Sequence, residues 1–424
     1  MQNRDEYLDT VCEQIRFRAA RKTIRGELDA HIDDRIAEGK SEAEAIAAMG
    51  DAAQTGKALN SIHRPRLEWR VILCMLLLSA VSAYLAVNMT GYGSNLYMDF
   101  HYGVIRHMII GFAIMLGLYF LNYTYLVKLR YVLFGAAIIY IGIYLIAFDS
   151  TYHGGDYGTL LFFTPVIICS SLLLILSNIG FISHRWKKQN AGLAVTSSLS
   201  IASIVALYLI DSDYAMLLTI INITVFAVLR WKQTKKNWIE IGVYFGLMVI
   251  VLCYLLVRKI ISESGLSQNH DQVMRILNTA KLTGASDYYI NGNGMTLESS
   301  RIYYIITAII AAYGWLPGIA LAAVYCVLGA VMLRRSLKIT HTLGRMLSAG
   351  ITVYFLVRII LHLCANMGLM GGYYSLPFLS YARYEYLADA ALMGVFLSVW
   401  RRSTYMKDEA KEKTLIKQAT VSAE

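Results

Sequence analysis

From Arg70 onward the chain runs in apolar blocks of roughly 18–25 residues, separated by short polar turns. A helix rises about 1.5 Å per residue, so each block can cross about 30 Å of hydrocarbon. Ten such spans are expected, at about 71–89, 104–121, 128–148, 159–178, 192–210, 213–230, 238–257, 303–333, 346–368 and 384–400. Of the 424 residues, 57% are hydrophobic and only 16% charged, against about 25% charged in a soluble domain. Mean hydropathy is +0.48. The pattern excludes a water-soluble enzyme and predicts an all-α, polytopic membrane protein.

The net charge of +10 is distributed in a way that carries topology. Basic residues follow the even-numbered spans: Lys128 and Arg130; Arg185, Lys187 and Lys188; Arg230, Lys232, Lys235 and Lys236; Arg334, Arg335 and Lys338; Arg401 and Arg402. The turns after spans 1, 3 and 5 carry almost none. By the positive-inside rule both termini are expected in the cytoplasm. These charges are topogenic and need no nucleic-acid partner. Residues 403–424, with Lys407, Lys411, Lys413 and Lys417, are expected to form a Lys-rich cytosolic tail.

Residues 1–65 are different in kind and form a separate domain. They hold twelve of the 29 acidic residues and no long apolar run, so no cleavable signal peptide is expected. Ile24, Leu28, Ile32 and Ile36 recur every fourth residue and lay one apolar face on a helix. Gly39 ends that helix, Ser41-Glu-Ala-Glu44 reads as a capping box, and Gly50-Asp51 makes a second stop. A compact cytosolic module of three or four helices follows. With the pattern Ile24-Arg25-Gly26-Glu27-Leu28, Gly39 and Met49-Gly50-Asp51, it resembles the HAAS, or permease-prefix, domain found before bacterial membrane domains. The resemblance implies a role in binding a cytosolic partner.

Within the membrane domain, 70–402, two stretches are irregular. The segment 258–302 is read as a long external loop with acids at Glu263, Asp271, Asp287 and Glu298. The apolar run 303–333 would make a helix of about 46 Å, too long for a bilayer, so Gly314 and Pro317 are expected to kink it. The six cysteines form no CxxC and read as small buried hydrophobes. The 30 tyrosines read mostly as an interfacial belt. Ionisable residues inside spans are costly and mark cavities or partners. Asp213, Arg358, His362, Glu385 and Asp389 are of this kind. Arg358 and His362 share a helix face, and Arg358 is expected to pair with Asp213 or Asp389. No metal motif, nucleotide fingerprint or cofactor site is present.

The ten spans with one long loop between the seventh and eighth resemble the SEDS family, the FtsW, RodA and SpoVE proteins of bacterial division, elongation and sporulation. The closest local match is Leu376-Pro377-Phe378-Leu379-Ser380-Tyr381, similar to the family's LPF-[IL]-SY, preceded by Asn366-Met367-Gly368. Asp213 falls at the family's Q-P-D-x-G-T, and Pro165 is compatible with its Q-P-S-E. Gln272 and Asn291-Gly292-Asn293-Gly294 fit elements of its loop. The resemblance implies glycosyl transfer on lipid II in peptidoglycan assembly, beside a penicillin-binding transpeptidase. It also implies an acidic residue at the start of span 8, where Tyr303 stands in this chain. Ala311 and Ala312 stand at two glutamate positions, and Ala382-Arg383 replaces a Gly-Gly.

The candidate bases are therefore Glu298, five residues before Tyr303, and Asp287, with Asp271 also in the loop. Arg301 and Arg383, set against the positive-inside trend, are candidates for gripping a pyrophosphate or lipid headgroup. Gln272, Asn293, Asp213 and Arg358 complete the candidate substrate contacts, with no cofactor and with membrane lipids as surroundings. Three readings stay open: a divergent lipid II glycosyltransferase, a non-catalytic cell-wall scaffold of the same family, and a transporter or flippase of a lipid-linked precursor or small solute.

Overall fold

The computed structural model describes residues 3–63, 69–88, 96–151, 157–185, 191–231, 238–263, 268–286, 303–372, 374–380 and 382–403. The described residues are all-helical, with no strand. They divide into two units, one built on residues 1–67 with 400–424 and one on 68–399.

The first unit is four helices: α1 (Arg4–Gln14), α2 (Arg18–Ala37), α3 (Glu42–Ala47) and α4 (Ala52–His63). Ile24, Leu28 and Ile32 on α2 close a core with Tyr7, Leu8, Val11 and Ile15 from α1 and Ala45, Ile46 and Ala52. Ile36, the last member of the four-residue series, is 36% exposed because the helix ends beside it. That end is a Schellman turn. Gly39 takes φ +90°, its N–H donates to Ile36 O at 3.0 Å, and Lys40 N–H donates to Arg35 O at 3.4 Å. Ser41 then starts α3 with a reciprocal capping box: Glu44 N–H donates to Ser41 Oγ, and Ser41 N–H donates to the Glu44 carboxylate at 3.0 Å. Arg4 bridges Asp29 and Asp33 of α2, each at 2.7 Å, while Arg25 bridges Asp5 and Asp9 of α1. Exposed pairs contribute only about 0–1 kcal/mol each. Two of them running in opposite directions between α1 and α2 set the register of the pair.

The second unit carries the helices of the ten expected spans; among the described residues five of them, at 164–183, 212–229, 242–259, 315–338 and 342–366, are long and apolar enough to cross a membrane. The ten are α5 (Trp69–Asn88), α6 (Leu96–Phe120), α8 (Arg130–Thr151), α9 (Tyr157–Arg185), α10 (Ala191–Tyr208), α11 (Ser212–Trp231), α12 (Trp238–Glu263), the broken pair α14 (Ile305–Tyr313) and α15 (Trp315–Lys338), α16 (Thr342–Asn366) and α17 (Arg383–Arg402). Short α7 (Thr124–Lys128) and α13 (Gln268–Thr279) lie between them. The α9, α11, α16 and α17 helices are the buried inner members, with Leu174–Phe181, Ala215–Thr219, Met346–Thr352 and Leu392–Val399 enclosed. By contrast α12 and α15 present Val243, Ile250, Val257, Ile319 and Val327 outward. Such a face belongs in lipid. Buried hydroxyls join helices where hydrocarbon offers them no water: Ser336 Oγ lies 2.6 Å from Ser348 Oγ and 2.9 Å from Thr352 Oγ1, and Asn178 donates to Ser203 Oγ at 2.9 Å.

The long apolar run does not kink; it breaks. At Gly314 the chain takes φ +95°, and a Cβ there would stand 2.7 Å from Leu282 O. Helix ends inside a membrane expose orphan backbone groups. Residues 281–286 supply the partners. Gly284 and Ser286 donate to Tyr313 O and Ala311 O at 3.0 and 2.8 Å. Trp315 and Leu316 donate to Lys281 O and Leu282 O, both at 3.0 Å. Pro317 falls in the first turn of α15, where its missing N–H costs nothing. The expected loop 258–302 is also corrected in part. α12 continues to Glu263, and α13 buries Val273 and Ile276 at helical spacing. The cysteines are free, but Cys169, Cys253 and Cys326 are exposed rather than buried, since the outer face of a membrane helix is itself apolar.

Two outcomes follow. Replacing Gly314 by Ala places a side chain in a left-handed conformation and against the Leu282 carbonyl. Destabilisation of more than about 2 kcal/mol is expected, read as a lowered Tm and loss of monodisperse protein in detergent. In the first unit, Arg4 holds Asp33 below its ordinary value and the Ser41 cap does the same for Glu44. A depressed carboxylate contributes stability above its unfolded pKa and loses it as pH falls through its folded value. Protection of the α2 and α3 amides, taken relative to their intrinsic exchange rate at each pH, should therefore hold at neutral pH and fall as acid protonates these carboxylates. Arg4→Ala should remove the Asp33 part of that response.

Candidate functional site

A cavity of about 920 Å³ opens among the ends of the inner helices. This is the size of a substrate site. Its wall comes from the α10–α11 turn, the end of α12, His270 of α13, Tyr303 and Tyr304 before α14, the C-terminal half of α16, the turn at 368–375 and the first turn of α17. It lies at the end of the bundle away from Arg334, Arg335 and Lys338, which close the far end of α15.

Arg358 is the centre of the wall. Its side chain is 7% exposed, and its partners come from its own helix, from α17 and from the turn between them. One guanidinium nitrogen donates to Tyr354 Oη at 2.6 Å, one turn back on α16, and to Asp389 of α17. The other donates to Glu385 of α17 at 2.5 Å and to Ser375 Oγ in the turn. Glu385 and Asp389 are four residues apart, so one face of α17 offers both carboxylates. Tyr354 in turn donates to Asp389 at 3.0 Å. A buried guanidinium in a membrane needs this many acceptors.

The motif 376–380 positions that network. Leu379 and Ser380 donate to Leu376 O at 3.2 and 3.0 Å, and Ser380 Oγ accepts from Leu376 N–H at 2.6 Å. Tyr325 of α15 donates to Pro377 O at 2.5 Å. Among the described residues Phe378 is the one non-glycine with positive φ, 63°. A left-handed aromatic costs about 1–2 kcal/mol. Its ring packs between Phe355 and Tyr386, at 6.0 and 5.8 Å between centroids. The turn thereby delivers Ser375 to Arg358 and Tyr374 O to His362 Nδ1, at 2.6 Å. That carbonyl can only accept, so Nδ1 carries the proton. Asn366, one turn on, accepts from Thr307 N–H at 3.0 Å and donates to Tyr303 O at 2.9 Å. It ties α16 to the entry of α14.

Across the cavity Lys259 of α12 meets Asp213 at 2.5 Å and stands 5.1 Å over the Tyr374 ring. Asp211 caps α11, one carboxylate oxygen accepting from Asp213 N–H at 2.8 Å and Tyr214 N–H at 3.1 Å. Burial raises the Asp211 carboxyl above its ordinary value, and the Asp213 charge adds to that.

Of the residues singled out in the sequence, Arg358, Asp213, Glu385 and Tyr303 are together in this wall. Arg358 pairs with Asp389, and the alternative pairing to Asp213 is not made: Asp213 takes Lys259. Gln272 is half-buried on α13, whose cavity residue is His270. Arg383 begins α17 outside this wall, its guanidinium carbon 3.6 Å from where a Cβ on Gly103 would stand. Glu298, Asp287, Arg301, Asn293 and Tyr381 lie outside the described residues. Tyr208, Tyr214, Tyr303, Tyr304 and Tyr374 line the cavity rather than a belt. Asp211 and Lys259 were not singled out. Asp211-Ser-Asp213 before an apolar run is a cap signal, and Lys259 follows Arg258 at the end of an apolar span. Among the described residues no three His, Cys, Asp or Glu side chains gather as a metal site would require.

The chain was compared with known proteins. Residues 6–57 match the HAAS family. In structure, a chain from work on structural coordination of polymerization and crosslinking by a peptidoglycan synthase complex aligns with TM-score 0.58 at 16% identity, covering 79% of this chain and 98% of that one. The rod shape determining protein RodA of Thermus thermophilus aligns with TM-score 0.53 at 14% identity, covering 79% and 97%. An aspartate-to-alanine mutant of that RodA gives 0.54 at 15% over the same shares. No curated protein matches the chain in sequence. The membrane unit therefore has the fold of RodA.

Removing one partner of a buried ion pair strands the other, at a cost of about 3–5 kcal/mol. Arg358→Met should lower the Tm of the detergent-purified chain accordingly, and Arg358→Lys should not restore it, because one ammonium cannot span Glu385, Asp389 and Ser375. An unchanged Tm would show that the cluster does not hold α16 to α17.

Proposed function

We propose that this is a RodA-like protein of bacterial peptidoglycan assembly whose cavity receives lipid II and extends a glycan from it. The observation that carries the reading is the cavity wall itself. Tyr303 stands where the SEDS resemblance implies an acid, yet Asp211, Asp213 and Glu385 reach the same cavity from α11 and its cap and from α17. Carboxylate chemistry is thus available from other elements. A sugar hydroxyl is a poor nucleophile, and a carboxylate that takes its proton speeds its attack on an anomeric carbon bearing diphosphate. The RodA fold supports this substrate class. The end of the bundle that holds the cavity faces outward in this reading, with both termini cytoplasmic and a transpeptidase as neighbour. The helical prefix then has its own partner on the cytoplasmic side.

The test is direct. Full-length protein in detergent or liposomes is supplied with fluorescent lipid II, with and without a penicillin-binding transpeptidase. Glycan ladders on a gel are the expected result. Absence of polymer in every condition would overturn the enzymatic reading. Co-purification with the transpeptidase would then point to a scaffold, and movement of intact lipid II across the liposome to a flippase.

A further inference from the structure

The three carboxylates of the cavity wall are not in the same state. Glu385 is held by Arg358 and Ser375, and Asp213 by Lys259. Among the described residues Asp211 makes no ion pair. Its hydrogen bonds there both fall on Oδ1, from the N–H groups of Asp213 and Tyr214, and Oδ2 accepts none. Protonating Glu385 or Asp213 gives up a charge-assisted bond to a largely buried cation. Protonating Asp211 at Oδ2 breaks no ion pair and leaves both cap hydrogen bonds on Oδ1 in place.

Resting on the glycosyl-transfer reading above, we propose that Asp211 is the general base of that reaction. Its Oδ2 takes the proton of the acceptor sugar hydroxyl. The hydroxyl oxygen forms a bond to the anomeric carbon of the lipid-linked donor. The bond from that carbon to the diphosphate oxygen breaks, and its electron pair leaves with the lipid diphosphate. Asp211 then returns its proton to water.

The surroundings suit this work. Burial, then the neighbouring Asp213 charge, raise the Asp211 carboxyl above its ordinary value, against the cap hydrogen bonds from Tyr214 and Asp213 and the Lys259 charge. Glu385 lines the same cavity, and Arg258, His270 and Arg358 with Tyr208, Tyr214, Tyr303, Tyr304 and Tyr374 complete the charged and titratable wall. The main-chain cap on Oδ1 fixes the group in place, so the carboxylate does not reorganise on binding.

The same cap supplies a clean experiment. Asn caps a helix as well as Asp does, so Asp211→Asn removes the base and keeps the fold. With fluorescent lipid II and the full chain, this variant should polymerise about 10²–10⁴-fold more slowly at unchanged Tm and lipid II binding. Asp211→Glu should recover part of the rate. The wild-type rate should climb with pH through one ionisation, and the residual rate of Asp211→Asn should not. Wild-type speed in Asp211→Asn overturns the base and leaves the glycosyl-transfer reading standing. A slow Asp211→Asn whose Tm has fallen in step assigns the residue to capping and overturns the base. Loss of polymer in Glu298→Ala but not in Asp211→Asn moves the base to Glu298. No polymer from the wild type overturns both readings together.

Discussion

Arg358 carries a full positive charge inside an apolar bundle, and much of the second unit is arranged to make that tolerable. The charge cannot be solvated by hydrocarbon, so it must be met by protein. Tyr354 from its own helix, Ser375 from a turn, and Glu385 and Asp389 from α17 together meet it. Holding Ser375 there requires the tight turn 376–380, which is why the backbone accepts a left-handed Phe378. The strain is about 1–2 kcal/mol, small beside the cost of a stranded buried charge. The polar cluster thus fixes where α17 starts, and with it one wall of the cavity.

The opposite limit of the cavity is set by a second backbone constraint. A helix break at membrane depth survives only where other protein satisfies its ends. Residues 281–286 do so on either side of Gly314. Because that segment is anchored there, and because Asn366 binds Tyr303 O, the entry to α14 is held against the cavity. The charged groups of the two sides differ accordingly. On the α16–α17 side the acids are committed to a guanidinium. On the α10–α12 side one acid is committed to Lys259 and the next, Asp211, to a helix cap alone.

Much of this was legible before folding, for identifiable reasons. Local rules act over a few residues, so the capping box at Ser41 and Glu44 and the stop at Gly39 could be read directly, while the interruption near Gly314 was expected only as a kink and is a full break. The apolar blocks could be read because a bilayer imposes one length on them. The pairing of Arg358 was narrowed to two acids, and one of them is its partner. The extra shares of Glu385 and Ser375 were not foreseen. Neither were the helix inside 258–302, whose apolar residues are few, and the outward cysteines, since burial and lipid exposure select the same side chains.

The sequence alone determined an all-helical membrane protein with a helical prefix, because hydrophobic length, cap residues and charge placement act locally and need no partner to be read. Only the tertiary structure decided which ionisable groups meet. Asp211, Asp213, Lys259, Tyr303, Arg358 and Glu385 are spread over 175 positions of the chain, counted from 211 to 385, yet they line one cavity. Their distribution between paired and unpaired states depends on helix packing and on the turn at 374–380. No spacing rule along the chain encodes that, and it is this distribution that sets Asp211 apart.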